Sequence, residues 1–184
     1  MNMTPLRLII VPLAIILLAS GCLIRSVHPW LSTASRVEAP SLLGVWHQAS
    51  ASEVLFVGGS PESYHLMLTD GDDVSRFTGT LHRLGDTLLL MVGPAEGDGW
   101  AHVPGTLLLR ADLGDDTLAL FTPDLESFAS RATAADLALL PGGSQSNGYL
   151  LTGTTIDAEA FVRSQLDDPA FFSAKPVYSF RKLR

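Results

Sequence analysis

The chain has 184 residues, a formal net charge of −7 at neutral pH and one cysteine. Its acidic balance removes the electrostatic case for a nucleic-acid partner, and a lone thiol excludes an internal disulfide and a cysteine-rich metal site. With 47% hydrophobic residues and 17% charged ones, against about 25% charged in an average soluble domain, stability has to come from packing.

In chain order the first feature is an apolar run over residues 8 to 19, behind Arg7 and the α-amino group. This is the layout of a secretory signal. It is too short to cross a bilayer, which takes about 20 apolar residues, and Pro12 interrupts it. The run ends in Leu18-Ala19-Ser20-Gly21-Cys22, which resembles the lipobox of bacterial lipoproteins. That resemblance implies a diacylglyceryl group on the Cys22 sulfur, cleavage immediately before Cys22, and acylation of the new amino terminus. Two or more acyl chains give stable anchoring, because each buried methylene contributes about 0.8 kcal/mol. Leu23 stands where lipoproteins held in a proteobacterial inner membrane carry Asp, so the resemblance implies a cell-envelope location with the outer membrane favoured in a Gram-negative host. The remainder after cleavage is one unit more acidic, since Arg7 is lost and no acid is. Attachment is therefore expected through lipid and not through a basic patch.

Residues 23 to 41 show neither helical nor strand periodicity and read as part of a lipidated tether, 22 to 41, leading to a single domain, 42 to 184. Trp30 fits either the lipid headgroup region or the wall of the domain.

From residue 42 onward, short apolar runs alternate with turn chemistry, the pattern of an antiparallel all-β domain. The spacing predicts strands near 42–48, 53–57, 63–69, 74–84, 87–92, 102–112, 117–122 and 148–152. Gly58-Gly59-Ser60-Pro61, Asp70-Gly71-Asp72-Asp73, Gly85-Asp86 and Gly114-Asp115-Asp116 supply the reversals. A short helix is expected near 123–131, with Pro123 in its first turn. A firmer one follows over 155–168, with a threonine cap and acids in its first turn. Residues 140–148 read as a loop, and a last strand fits 177–183.

Gly44-Val45-Trp46 on the first strand, the run of hairpins, the late helix and a closing strand bearing Arg181 resemble the lipocalin-like, or calycin, layout. The fold that this implies is mainly β: an antiparallel barrel or strongly curled sheet, with one C-terminal helix before the last strand. The resemblance also implies that Gly44 and Trp46 meet a basic side chain at the closed base. Arg181 is the expected partner, with Lys182 as the alternative because side chains alternate along a strand. The lipobox, Ser26-Val27-His28-Pro29-Trp30 and Leu43-Gly44-Val45-Trp46 together are similar to small bacterial envelope lipoproteins of unassigned function.

Catalytic, cofactor-binding and metal-ligating residues are not expected. His28, His47, His65, His82 and His102 lack ligand spacing, and Asp70 to Asp73 lacks the EF-hand pattern. Ser60 and Ser144 do not sit in a nucleophile elbow, and Gly97-Asp98-Gly99 lacks the third glycine of a dinucleotide fingerprint. Two functions are left: a non-enzymatic, lipid-anchored envelope protein that contacts other proteins or serves envelope assembly, or a carrier of a lipid or other apolar molecule inside the barrel. Interior volume separates them.

Overall fold

The computed structural model describes residues 23–48, 51–95, 105–142 and 148–183; the expected signal segment and Cys22 lie outside them. The strands in chain order are β1 (Ile24–Ser26), β2 (Gly44–Gln48), β3 (Val54–Ser60), β4 (Ser63–Asp70), β5 (Asp73–Leu84), β6 (Thr87–Pro94), β7 (Thr106–Leu113), β8 (Thr117–Phe121), β9 (Leu139–Pro141), β10 (Tyr149–Leu151) and β11 (Tyr178–Lys182). Two α-helices, α1 (Leu125–Ala134) and α2 (Thr155–Gln165), flank β9 and β10.

Eight strands close into an antiparallel barrel in the order β2-β3-β4-β5-β6-β7-β8-β11, sealed by the β6–β7 and β11–β2 pairings. Closure leaves no open edge in the ring. Tight reversals make the long hairpins possible: Gly71 at φ +58 turns β4 into β5 and Gly85 at φ +59 turns β5 into β6, a backbone region that glycine enters without penalty. β1 runs antiparallel to β7 and parallel to β10, and β9 pairs with β10. The run expected at 148–152 thus forms β10 in an annex outside the ring. Residues 139–141, partly inside the expected loop, form β9.

The barrel wall separates two apolar cores. Inward side chains from all eight ring strands, Trp46 and Phe180 among them, form one cluster. Outward side chains of β6, β7 and β8 join Trp30, Phe128, Phe161, Phe171 and Phe172 in a second. β6 is buried on both sides: Leu89 and Met91 face the outer core, Leu90 and Val92 the inner one. Its unbroken apolar sequence, Leu88 to Val92, answers to that position.

The N-terminal stretch corrects the expected tether. Residues 23–41 pack against the barrel: β1 pairs into the sheet, Trp30 is 0% exposed and Leu31 is 2% exposed. Trp30 Nε1 donates to the Thr106 carbonyl at 2.9 Å and its ring meets Phe128 edge-on. The stretch lacks periodicity because two short 3-10 turns, Thr33–Ser35 and Pro40–Leu42, break it; its core contacts come from isolated side chains. Trp30 thereby takes the wall position, away from the headgroup alternative.

Each helix forms where its cap lies. Asp124 accepts from the Ser127 N–H at 2.9 Å to start α1, and Thr154 accepts from the Asp157 N–H at 3.3 Å to start α2, each satisfying a donor that the first turn leaves free. Arg131 ties the two together, donating to Gln165 Oε1 and to Asp168 Oδ2, both at 2.7 Å.

Candidate functional site

Among the described residues, four places carry organised polar chemistry or open space: the base of the barrel, its opposite end, the seam under the N-terminal strap, and a gap in the wall. The interior itself is occupied by the continuous apolar cluster.

At the base, Trp46 is 0% exposed and its Nε1 donates to the Leu42 carbonyl at 2.9 Å. Lys182 pairs directly with Trp46 across the β2–β11 ladder, with Nζ 5.0 Å from the ring centroid, and donates to the Ser41 carbonyl at 2.6 Å. Both carbonyls belong to the Pro40–Leu42 turn, so the ammonium and the indole N–H satisfy acceptors that its end leaves free. Gly44 completes the lock. A Cβ there would lie 2.8 Å from Lys182 Cε, and its φ of +136 suits glycine. Arg181, the cation first expected here, pairs with His47 and is exposed on the outer face. The cause is register: Lys182 shares the inward parity of Phe180, and Arg181 falls between them.

At the other end Glu53 is 2% exposed and its Oε2 has no hydrogen-bond partner. Burial, reinforced by nearby Asp70, holds its carboxyl above the usual carboxylate range. The Oε1 of Gln48 is likewise buried and unpartnered. Tyr178, stacked on Phe180, is pushed up to about 12 by burial and by the negative charges of Glu53 and Asp70. Sequence reading passed over Glu53, although it shares parity with the inward Leu55 and Val57.

Under the strap, buried His82 bridges two hydroxyls: Thr80 Oγ1 lies 2.9 Å from Nε2 and Ser35 Oγ lies 3.0 Å from Nδ1. Ser35 Oγ donates to the Ser32 carbonyl at 3.0 Å, so it accepts from Nδ1–H and leaves Nε2 to accept from Thr80. This has the order of nucleophile, base and orienting group. The third member, however, is a neutral hydroxyl, which gives an imidazolium far less support than a carboxylate. Burial, and then Arg36, hold the imidazole below its ordinary range. The arrangement is a polar pin between strap and wall. Val37 N–H donating to the Leu81 carbonyl at 2.9 Å, and the Tyr64 hydroxyl accepting from Ala39 N–H at 3.0 Å, extend it.

Two recesses are described, and the second touches the inner apolar cluster at Leu88, Ala111 and Leu113. One, about 350 Å³, lies between the strap and the outer wall, near Arg36, Thr78, Thr80, Met91 and Thr155. The other, about 510 Å³, lies where β6 and β7 part beyond the Leu89–Arg110 pair, beside Asp86 and Asp112. Among the described residues no three His, Cys, Asp or Glu side chains converge as a metal site. His28 is exposed on the strap, His47 and His65 lie on the outer wall, and His102 and Cys22 fall outside the described residues. No protein-family model, curated protein or solved structure matches the chain.

Proposed function

We propose that this chain is a bacterial envelope lipoprotein, anchored by acyl groups on Cys22, whose lipocalin-like barrel is a non-enzymatic scaffold for contact with other envelope proteins or for envelope assembly. The continuous apolar cluster inside the ring carries the choice of scaffold over carrier. A carrier needs room for its ligand, and small-molecule pockets run to about 300–1,000 Å³ with most of the ligand enclosed; here all eight ring strands send apolar side chains into one cluster. The lipocalin-like reading is supported by Gly44, Trp46 and Lys182 at a base closed by a 3-10 turn. The lipobox-like residues 18 to 22 support the anchor, and Leu23 supports the outer membrane.

Native mass spectrometry of the protein extracted from its own host's membranes tests both halves. The expected species carries acyl mass at Cys22 and no other small molecule. A stoichiometric apolar passenger would replace the scaffold reading with the carrier, and an unmodified Cys22 would remove the anchor.

A further inference from the structure

The outer cluster covers the barrel on the β6–β7–β8 side, while β2, β3, β4 and the first half of β5 turn their outer faces to solvent. On that open wall the ladders align Val45, Phe56, Met67 and Arg76 across four adjacent strands. Leu183 extends the row, its N–H donating to the Val45 carbonyl at 2.8 Å. The neighbouring row runs Arg181, His47, Val54, Thr69 and Val74. Phe56 is 37% exposed, Val74 45% and Leu183 52%. Cations and histidines border this apolar strip: Arg76 and Arg181, with His47 and His65. The described acids nearby, Glu62, Asp70, Asp72, Asp73 and Asp116, lie at the hairpin ends. In a chain of net charge −7 the outward face of this wall carries two arginines and no acid among its exposed apolar side chains, the acids being confined to the hairpin ends, which marks an interaction surface.

We infer that the Phe56 wall docks an amphipathic, acidic polypeptide segment of an envelope partner. Charge complementarity selects the acidic partner. A second copy of this wall would bring Arg76 and Arg181 against their like. The bilayer is disfavoured by placement, a step that rests on the proposed anchor at Cys22. That cysteine lies two residues before β1, a reach of about 7 Å, and β1 is paired to β7. In the ring β7 and β3 are four strands apart in either direction. An anchor beside β7 turns the Phe56 wall away from the membrane. Because β3 and β4 are paired on both edges, the partner is held by side chains and not by added strand hydrogen bonds.

The test uses the full chain, purified with its lipid and inserted into phosphatidylcholine nanodiscs. The probe is a fluorescein-labelled peptide of alternating Glu and Val, read by anisotropy beside a Lys–Val control. Saturable binding of the acidic peptide is expected, weakened about tenfold or more by Phe56→Ser and by Arg76→Glu, as when a central anchor or a complementary charge is lost. Leu140→Ser, on the annex, should leave it unchanged, with circular dichroism confirming that each variant keeps its fold. Absence of binding, equal binding of the Lys–Val peptide, or indifference to both wall variants overturns the docking site. Peptide binding that vanishes when phosphatidylglycerol is added to the disc shows the wall occupied by lipid and also overturns it. A chain that fails to enter nanodiscs yet binds the acidic peptide in solution, with the same response to the variants, removes the anchor and leaves the docking site standing.

Discussion

Trp46, Lys182 and Gly44 form one unit, and their substitutions should differ sharply in cost. Trp46→Ala should destabilise by about 3–5 kcal/mol, the range for truncating a buried large aromatic. Lys182→Ala should cost about 1–2 kcal/mol, in line with a partly desolvated cation on an indole face, and Arg181→Ala should stay within about 0.5 kcal/mol. Gly44→Ala should cost more than about 1 kcal/mol, since its φ does not suit a side chain. Urea titrations of the four variants check the order; a larger loss for Arg181 than for Lys182 would reject it. Gly44 and Trp46 were legible in the sequence because the pair is local. The choice between Arg181 and its alternative Lys182 was not, because a one-residue change of register exchanges them, and only the β2–β11 ladder fixes that register. Glu53 gives a second residue-scale prediction. Its folded carboxyl is raised above 4.5, so its contribution is fully present below that pH and is lost as pH rises through the folded value. Glu53→Gln should therefore be more stable than wild type at pH 7 and should lose that advantage below about pH 4, as thermal melts across pH can show.

Among the elements, the N-terminal strap departs most from its sequence pattern. Its contribution lies in Trp30 and Leu31, with backbone contacts spaced too irregularly for any periodic signal. Trp30→Ala should cost about 3–5 kcal/mol, and a chain lacking residues 23–40 should lose the outer core and unfold at markedly lower urea. His82 makes the strap sensitive to acid. Its folded imidazole is depressed below 6.5, so the stability it contributes is present above 6.5 and declines as pH falls from there through the folded value. Limited proteolysis should cut residues 23–40 faster at pH 5 than at pH 7.5, and His82→Gln should flatten that difference. The ring strands β3 to β6 were legible because glycine and aspartate turns punctuate clean apolar runs. β9 was hidden among prolines and glycines, and β10 looked like a ring strand because apolar content does not tell which neighbour a strand chooses.

For the whole molecule, the anchor is the prediction most open to a direct measurement. Cys22→Ser should leave the precursor uncleaved and without thioether lipid, and wild-type protein should stay with membranes through a high-salt wash, since acyl insertion is not screened as ionic attraction is. Release by salt alone would count against it. The barrel was legible as a class because hairpin spacing is local; how its inward side chains pack was not, since the same alternation lines a hollow barrel or a solid one. The strand order has a consequence for how such a chain matures. β11 sits between β2 and β8, so the second strand and the eighth both keep a bare edge until residues 178–182 have been delivered. Until that strand arrives the chain can form its hairpins but cannot close, and its exposed edges invite mispairing with neighbours. Ring closure, and with it the Lys182 lock, is therefore the last step of barrel assembly, and the interval before it is when the open edges most need protection.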